Sequence, residues 1–183
     1  MIKLKNFIKK IIQSSDDKFY YKIPSKALAD TEFVLREYGN LNPPHEGIVY
    51  WAGSMERGIF HILAVIAPKT ISNSGKVLIP PRGNFDFVRI LNKNRLIHIA
   101  QVHSHPTAWV GHSPGDDSWA AFKKEGLLSI VVPSYGLKGF GGLENCGCHR
   151  FQNNSFTCLS RDYVLNHFQI VKNIPSQFVD LRK

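Results

Sequence analysis

The segment from Gln101 to Asp116 contains two histidines and a carboxylate with the spacing of a metal site. His103 and His105 are separated by a single residue at the end of a predicted strand, so their side chains point to the same face of the strand. Ser113 suits the N-cap of a helix that begins at the next residue, and Asp116 then falls in its first turn. Two histidines and one carboxylate leave the fourth position of a catalytic zinc ion open for water. Either half of the pattern alone is also typical of polar surface or of a capped helix, but the two halves together predict a metal site.

These residues resemble the signature of the JAMM metalloproteases, also called the MPN+ or JAB domain family. That signature is an upstream glutamate, then His-Ser/Thr-His-Pro, six or seven residues, and Ser-x-x-Asp. Here His-Ser-His-Pro occupies residues 103–106, six residues follow, and Ser-Pro-Gly-Asp occupies residues 113–116. The Glu-Gly step at 46–47 resembles the upstream glutamate of the family. The resemblance extends over about residues 46–132.

The resemblance implies a role for each residue of the motif. His103, His105 and Asp116 would hold one zinc ion. Glu46 would take a proton from the zinc-bound water and pass it to the leaving amine. Ser113 would donate a hydrogen bond to the oxyanion of the tetrahedral intermediate. The two catalytic residues of the predicted zinc metallopeptidase are therefore Glu46 and Ser113.

Glu46 has competitors in the sequence, because Glu32, Glu37 and Glu56 lie within fifteen residues of it. Glu32 and Glu37 fall inside a predicted helix, whereas Glu46 stands at the edge of a predicted strand. Gly47 next to it permits close approach of another segment. These two features favour Glu46 as the general base.

Other residues with metal-binding or aromatic side chains have weaker interpretations. Trp109 lies in the loop between the two halves of the motif, where it either shapes the substrate groove or packs inward. His112 is interpreted as a loop histidine and not as a ligand. Cys146, Cys148 and His149 form a Cys-x-Cys-His segment without a second ligand pair at zinc-finger spacing, so no second metal is predicted.

The composition is that of a soluble globular protein, for which a cytoplasmic location is expected. The 183 residues suffice for one domain, and 43% of them are hydrophobic, but no apolar run approaches the roughly 20 residues of a membrane span. An odd number of cysteines, three, disfavours a disulfide framework. The net charge of +9 favours acidic partners, but no interleaved basic and aromatic pattern indicates a nucleic acid.

The order of helical and strand patterns predicts a single-domain α/β (α+β) fold, a mixed sheet flanked by helices. The resemblance implies a JAB/MPN-like architecture, similar to that of cytidine deaminases.

Residues 1–20 are predicted to form a basic amphipathic helix, 21–160 the metallopeptidase domain, and 161–183 a C-terminal extension packed on it. The predicted helices are 2–13, 25–38 with Ser25 as its cap, 86–93, 114–124 and a segment from 161. The predicted strands are 47–52, 59–66, 96–102, 127–132, 148–151 and 156–159. Residues 69–83 are expected to be an irregular connection, and the glycine-rich residues 136–147 a mobile flap.

The resemblance also implies a substrate, because the family cleaves amide and isopeptide bonds after the C-terminal glycines of ubiquitin or ubiquitin-like proteins. The chain is similar to stand-alone bacterial members encoded beside E1-like and E2-like enzymes, including those of anti-phage defence operons. We therefore expect a deconjugating or precursor-processing peptidase whose partners are a ubiquitin-like modifier, its conjugates and those enzymes. Alternatives are a sulfur-carrier-processing peptidase, hydrolysis of a small amide, and an inactive scaffold of the same fold. A non-haem iron oxygenase also uses two histidines and a carboxylate, but in a different order.

Overall fold

A nine-stranded mixed β-sheet forms the centre of the fold. The computed structural model describes residues 19–183, so the helix predicted at 2–13 lies outside the described residues. The four α-helices of this part are α1 (Ser25–Gly39), α2 (Pro81–Asn94), α3 (Pro114–Trp119) and α4 (Arg161–His167). The strands are β1 (Tyr20–Pro24), β2 (Ile48–Glu56), β3 (Ile59–Ala67), β4 (Ile71–Asn73), β5 (Lys76–Leu78), β6 (Ile97–Ser104), β7 (Leu128–Val132), β8 (Gly147–Gln152), β9 (Ser155–Cys158), β10 (Phe168–Val171) and β11 (Gln177–Asp180).

The strand order of the sheet is β10-β1-β3-β2-β6-β7-β8-β9, and β11 pairs with β3 beside β1. β2 is antiparallel to both β3 and β6, whereas β6 and β7 are parallel. The register aligns Ile48 of β2 with His103 of β6, and His103 with Val131 of β7. The histidine strand is therefore held by neighbours on both sides, which fixes the direction of its side chains.

Apolar side chains of β2 alternate between two cores, one on each face of the sheet. Val49 and Trp51 face α1, where the Trp51 indole N–H donates to the Thr31 hydroxyl over 2.8 Å. Ile48 and Tyr50 face α2 and pack near Phe87. Because both faces are covered, the sheet is a rigid support for residues at the ends of its central strands.

The mixed α+β single-domain prediction agrees with this architecture, and most helices and strands lie near their predicted positions. Residues 69–83 are not an irregular connection, because β4 and β5 form a two-stranded hairpin there. The helix predicted at 114–124 ends at Trp119, and Phe122 beyond it packs against Tyr50 and Phe87 in the second core. Ser25 does not cap α1, because Pro24 occupies the N-cap position and no side chain caps it.

The C-terminal residues join the central sheet. The predicted helix from 161 is α4, which ends at His167, and two strands follow it. β10 pairs in parallel with β1, and β11 pairs in parallel with β3. None of the helices among residues 19–183 is long and apolar enough to cross a membrane.

Candidate metal centre and cleft

Three side chains from two elements meet at the carboxyl end of β6. His103 is the seventh residue of that strand, and His105 is the first residue after the strand ends at Ser104. Asp116 lies in the first turn of α3. His105 Nε2 lies 3.3 Å from His103 Nε2 and 3.2 Å from Asp116 Oδ2, and His103 Nε2 lies 3.4 Å from Asp116 Oδ1. Their potential ligand atoms all fall within 4.8 Å of one another, so the structure brings together the three residues that the motif pairs.

The first turn of α3 holds Asp116 in place through a reciprocal capping box. The Ser113 backbone N–H donates to Asp116 Oδ2 over 2.7 Å, and the Asp116 backbone N–H donates to Ser113 Oγ over 3.1 Å. These two hydrogen bonds hold the Asp116 carboxylate in place on its own helix, independently of its contacts with the histidines. Because a hydroxyl both donates and accepts, the Ser113 proton remains able to donate elsewhere.

The donor set fits a metal cation, because the tautomer of His105 leaves a lone pair at the centre of the group. His105 Nδ1 lies 3.2 Å from the Trp109 carbonyl oxygen, which can only accept, so Nδ1 bears the proton. In the neutral ring Nε2 then presents a lone pair toward His103 Nε2 and the Asp116 carboxylate. The His105 Nε2 lone pair and the Asp116 carboxylate oxygen are both acceptors, so their 3.2 Å separation requires a proton or a cation between them.

Electrostatics at the three residues favour positive charge. Burial alone would raise the pKa of Asp116, but in the metal-free chain, where a proton takes the place of the cation, hydrogen bonds from His103 and His105 hold that pKa well below its usual range. Burial likewise opposes protonation of His105, yet the hydrogen bond to Asp116 and the nearby Glu46 raise its pKa. The carboxylate is therefore ionised at neutral pH, and the site attracts a cation.

Glu46 lies beside this group, two residues before β2 begins, and only 6% of it is exposed. Its backbone N–H donates to the Asn73 carbonyl of the hairpin, and the Gly47 N–H donates to Ser104 Oγ of β6 over 3.0 Å. Burial raises the pKa of Glu46 to about 7, with His105 lowering it and Asp116 raising it further. A carboxyl group that titrates near neutral pH is suited to accept and return a proton.

The competing glutamates lie elsewhere and have other contacts. Glu32 accepts from the Phe140 backbone N–H over 2.9 Å, and Glu37 pairs with Arg182 over 2.8 Å. Glu56 is exposed at the far end of β2. Of these candidates Glu46 is the one that lines the cleft at the metal centre.

An open cleft of about 210 Å³ runs past the metal centre. Glu46, Ser113 and two of the three candidate ligands line it, as do both tryptophans of this region. Trp109 is 55% exposed, and its ring stacks on His105 with centroids 5.3 Å apart. Trp109 therefore lies beside the cleft and not in the core, and its predicted role in shaping a substrate groove stays a prediction.

The wall opposite the motif is the tip of the β4–β5 hairpin, which sequence patterns did not predict. Gly75, Lys76 and Val77 line the cleft, and the Lys76 ammonium lies 4.2 Å from the ring centroid of Trp119. Strands of three residues are too short to show a period, so the sequence offers no pattern for this wall.

The glycine-rich residues 136–147, expected to form a flap, are absent from the lining of the cleft in the described part of the chain. Phe140 and Leu143 are buried in the core on the α1 side of the sheet. The backbone of Gly147 lies under Val110, where a Cβ atom would meet the Val110 carbonyl. The end of this segment therefore packs against the metal-site loop at Val110, and the segment does not cover the cleft.

The remaining predictions about cysteine and histidine concern residues outside the ligand group. Cys146, Cys148 and Cys158 are free thiols, and burial raises the pKa of Cys146 to about 12. Among residues 19–183 these cysteines do not belong to the metal-capable group. His112 lies in a loop as predicted, but its ring is buried and hydrogen-bonded at both nitrogens, which the sequence did not indicate.

One sequence comparison supports a metallopeptidase. The chain is 30% identical over 122 residues to a protein of Sinorhizobium fredii named "Probable metalloprotease y4jG", across 64% of this chain and 74% of that protein. The solution structure of protein DSY2949 from Desulfitobacterium hafniense superposes with a TM-score of 0.62 over 84% of this chain and 94% of that one. At 14% identity that likeness concerns the fold alone. No model of a known protein family matches the sequence.

Proposed function

We propose that this chain, which belongs to the metalloprotease family of the Sinorhizobium relative, is a zinc peptidase of the JAMM type that cleaves after the C-terminal glycine of a ubiquitin-like modifier. The observation on which the proposal rests is the convergence of His103, His105 and Asp116 beside a buried glutamate in one open cleft. An inactive scaffold needs neither the three ligand atoms nor a buried carboxyl group, so this convergence favours an enzyme.

His103, His105 and Asp116 would hold the metal ion. When bound, zinc lowers the pKa of a coordinated water and polarises the substrate carbonyl. Glu46 would hold the proton taken from that water and return it to the leaving amine, because its burial places its pKa near neutrality. The ligand set of two histidines and a carboxylate is one that zinc uses in catalytic sites.

Ser113 would stabilise the oxyanion. Its Oγ accepts from the Asp116 backbone N–H, which fixes the oxygen and leaves its proton free to donate into the cleft. A donor that is already held in place adds to transition-state stabilisation, since no reorganisation is needed when charge develops. We therefore expect loss of the hydroxyl to lower kcat more than it raises KM.

The dimensions of the cleft support a glycine-tailed substrate. At about 210 Å³ it is smaller than the roughly 300–1,000 Å³ of ordinary small-molecule sites. The side chains of Trp109 and Trp119 form part of its walls. An extended segment without side chains fits such a space, and it can pair with the exposed edge of the β4–β5 hairpin as an added strand.

A fusion of a Gly-Gly-ending ubiquitin-like protein to a reporter tests the proposal. We expect cleavage after the terminal glycine, measured by mass spectrometry, and its loss with Glu46→Gln or with a chelator. Glu56→Gln, which changes an exposed glutamate at the far end of β2, serves as the matched control and should cleave normally. Cleavage that survives both Glu46→Gln and the chelator would contradict the mechanism.

The same assay separates the related substrates. An isopeptide-linked conjugate tests deconjugation, and a linear fusion tests precursor processing. A sulfur-carrier protein joined through its C-terminal glycine tests the alternative substrate class with the same centre. Cleavage of the sulfur-carrier substrate alone would retain the metallopeptidase and reject the modifier.

A further inference from the structure

His112 connects the metal-site loop to both the helix and the sheet. Its Nδ1 lies 2.8 Å from Asp117 Oδ1 of α3, and its Nε2 lies 2.8 Å from Ser129 Oγ of β7. Only 5% of the His112 side chain is exposed. A loop side chain with both ring nitrogens satisfied and almost no exposure is held in a single orientation.

The directions of these hydrogen bonds form a consistent set. A carboxylate only accepts, so His112 Nδ1 bears a proton and donates to Asp117. In the neutral ring Nε2 is then an acceptor, and the Ser129 hydroxyl donates to it. Ser129 Oγ in turn accepts from Gln101 Nε2 over 3.0 Å. Gln101 and Ser129 are directly paired on the parallel strands β6 and β7, so the base of this network is the sheet itself.

This network adjoins the candidate metal ligands on two sides. Gln101 lies two residues before His103, so the two share a face of β6. The His112 ring lies 6.0 Å from the His103 ring at 76°, and it also contacts the rings of His149 and Phe156. At its other end, Asp117 is the residue after Asp116.

We propose that His112 is a positioning residue for the metal site, which fixes α3 on the sheet so that Asp116 meets His103 and His105. The inference rests on the metal site of the proposed function. The capping box fixes Asp116 relative to its own helix only. The His112 bridge is what ties that six-residue helix to β7 across 17 residues of chain.

Zinc affinity of the full chain, measured by competition with a chromophoric chelator, tests the inference without any substrate. His112→Ala, Asp117→Ala and Ser129→Ala should each weaken zinc binding by about tenfold, the lower end of the range for residues that orient metal ligands. Cobalt loaded into the same variants should show changed d–d absorption bands. His61→Ala, a histidine on β3, is the control and should bind as the wild type does.

Asp117→Asn separates a hydrogen bond from a general structural effect. Asparagine keeps an acceptor oxygen for His112, so its zinc affinity should stay within about twofold of the wild type, whereas Asp117→Ala should not. The Asp117 side chain is 52% exposed, so this pair remains informative even where His112→Ala does not fold. Wild-type zinc affinity and unchanged cobalt spectra in the Asp117→Ala and Ser129→Ala variants would overturn the inference.

These experiments would give a different result if the proposed metal site itself were wrong. Wild-type protein that binds neither zinc nor cobalt would reject the metal site and leave the His112 bridge to be tested in the metal-free chain. Nitrogen-15 NMR of the histidine rings then decides, because the bridge requires a neutral His112 ring with the proton on Nδ1. A proton on Nε2, or rapid exchange between the two tautomers, would overturn the bridge.

Discussion

Replacing Glu46 with glutamine should stabilise the metal-free protein at high pH while it abolishes activity. Burial raises the pKa of Glu46 from its ordinary 4.5 to about 7, so the folded chain binds a proton more tightly than the unfolded chain. Stability from this group is therefore present below pH 4.5 and is lost as the pH rises through 7. Glutamine has nearly the same shape and no charge, so the variant avoids that loss.

The size of the effect follows from the same shift. At about 1.4 kcal/mol per pH unit, ionised Glu46 destabilises the metal-free fold by at most about 3 kcal/mol at pH 8, and by less than about 1 kcal/mol at pH 5. The stabilising effect of Glu46→Gln should thus grow by about 2 kcal/mol between the two pH values. For a chain of this length that corresponds to roughly 4–8 °C in Tm.

Denaturation curves at pH 5 and pH 8 in the presence of a chelator measure this difference. Glu56→Gln is the control, because that side chain is exposed at the far end of β2 and should show no pH-dependent gain in stability. Equal stability of Glu46→Gln and the wild type at both pH values would refute the reasoning, as would a loss of stability that grows with pH.

Three further predictions concern a histidine of the second core, a glycine under the metal-site loop and a tryptophan of the cleft. His98 is partly buried among aromatic rings, and desolvation lowers its pKa to about 3. Acidification from pH 7 to 5 should therefore remove about 2 kcal/mol of unfolding free energy, and His98→Phe should abolish that loss in urea titrations. Gly147→Ala places a methyl group against the Val110 carbonyl, and should cost about 1–3 kcal/mol in denaturation and weaken zinc binding; wild-type values for both would contradict the packing. Trp109→Ala removes the ring stacked on His105 and should raise KM about two- to tenfold in steady-state assays, whereas Trp109→Phe should retain most of the affinity.

The three candidate metal ligands could be predicted together because the sequence patterns that place them are local. His103 and His105 share a face through the period of a strand, and Asp116 takes its place from the Ser-Pro start of a helix. The structure adds what spacing does not contain, namely that α3 is packed so that its first turn faces the end of β6. That packing depends on contacts such as the His112 bridge, whose partners are distant in sequence.

The hairpin and the C-terminal strands were not predictable for a different reason. β4 and β5 contain three residues each, which is too few to show a periodic pattern. β10 and β11 are short strands that are stabilised by pairing with β1 and β3, more than 100 residues earlier in the chain. The position at which α3 ends, Trp119, is likewise determined by tertiary packing, because Phe122 lies beyond the helix and packs in the aromatic core.

Metal content tests the central claim most directly. Protein loaded with zinc, freed of excess metal and examined by native mass spectrometry should contain one zinc ion per chain. Asp116→Ala should contain none at the same free zinc concentration, while the His61→Ala control should retain the ion. A wild-type chain that binds no zinc, or an Asp116→Ala chain that retains a full equivalent, would contradict the account.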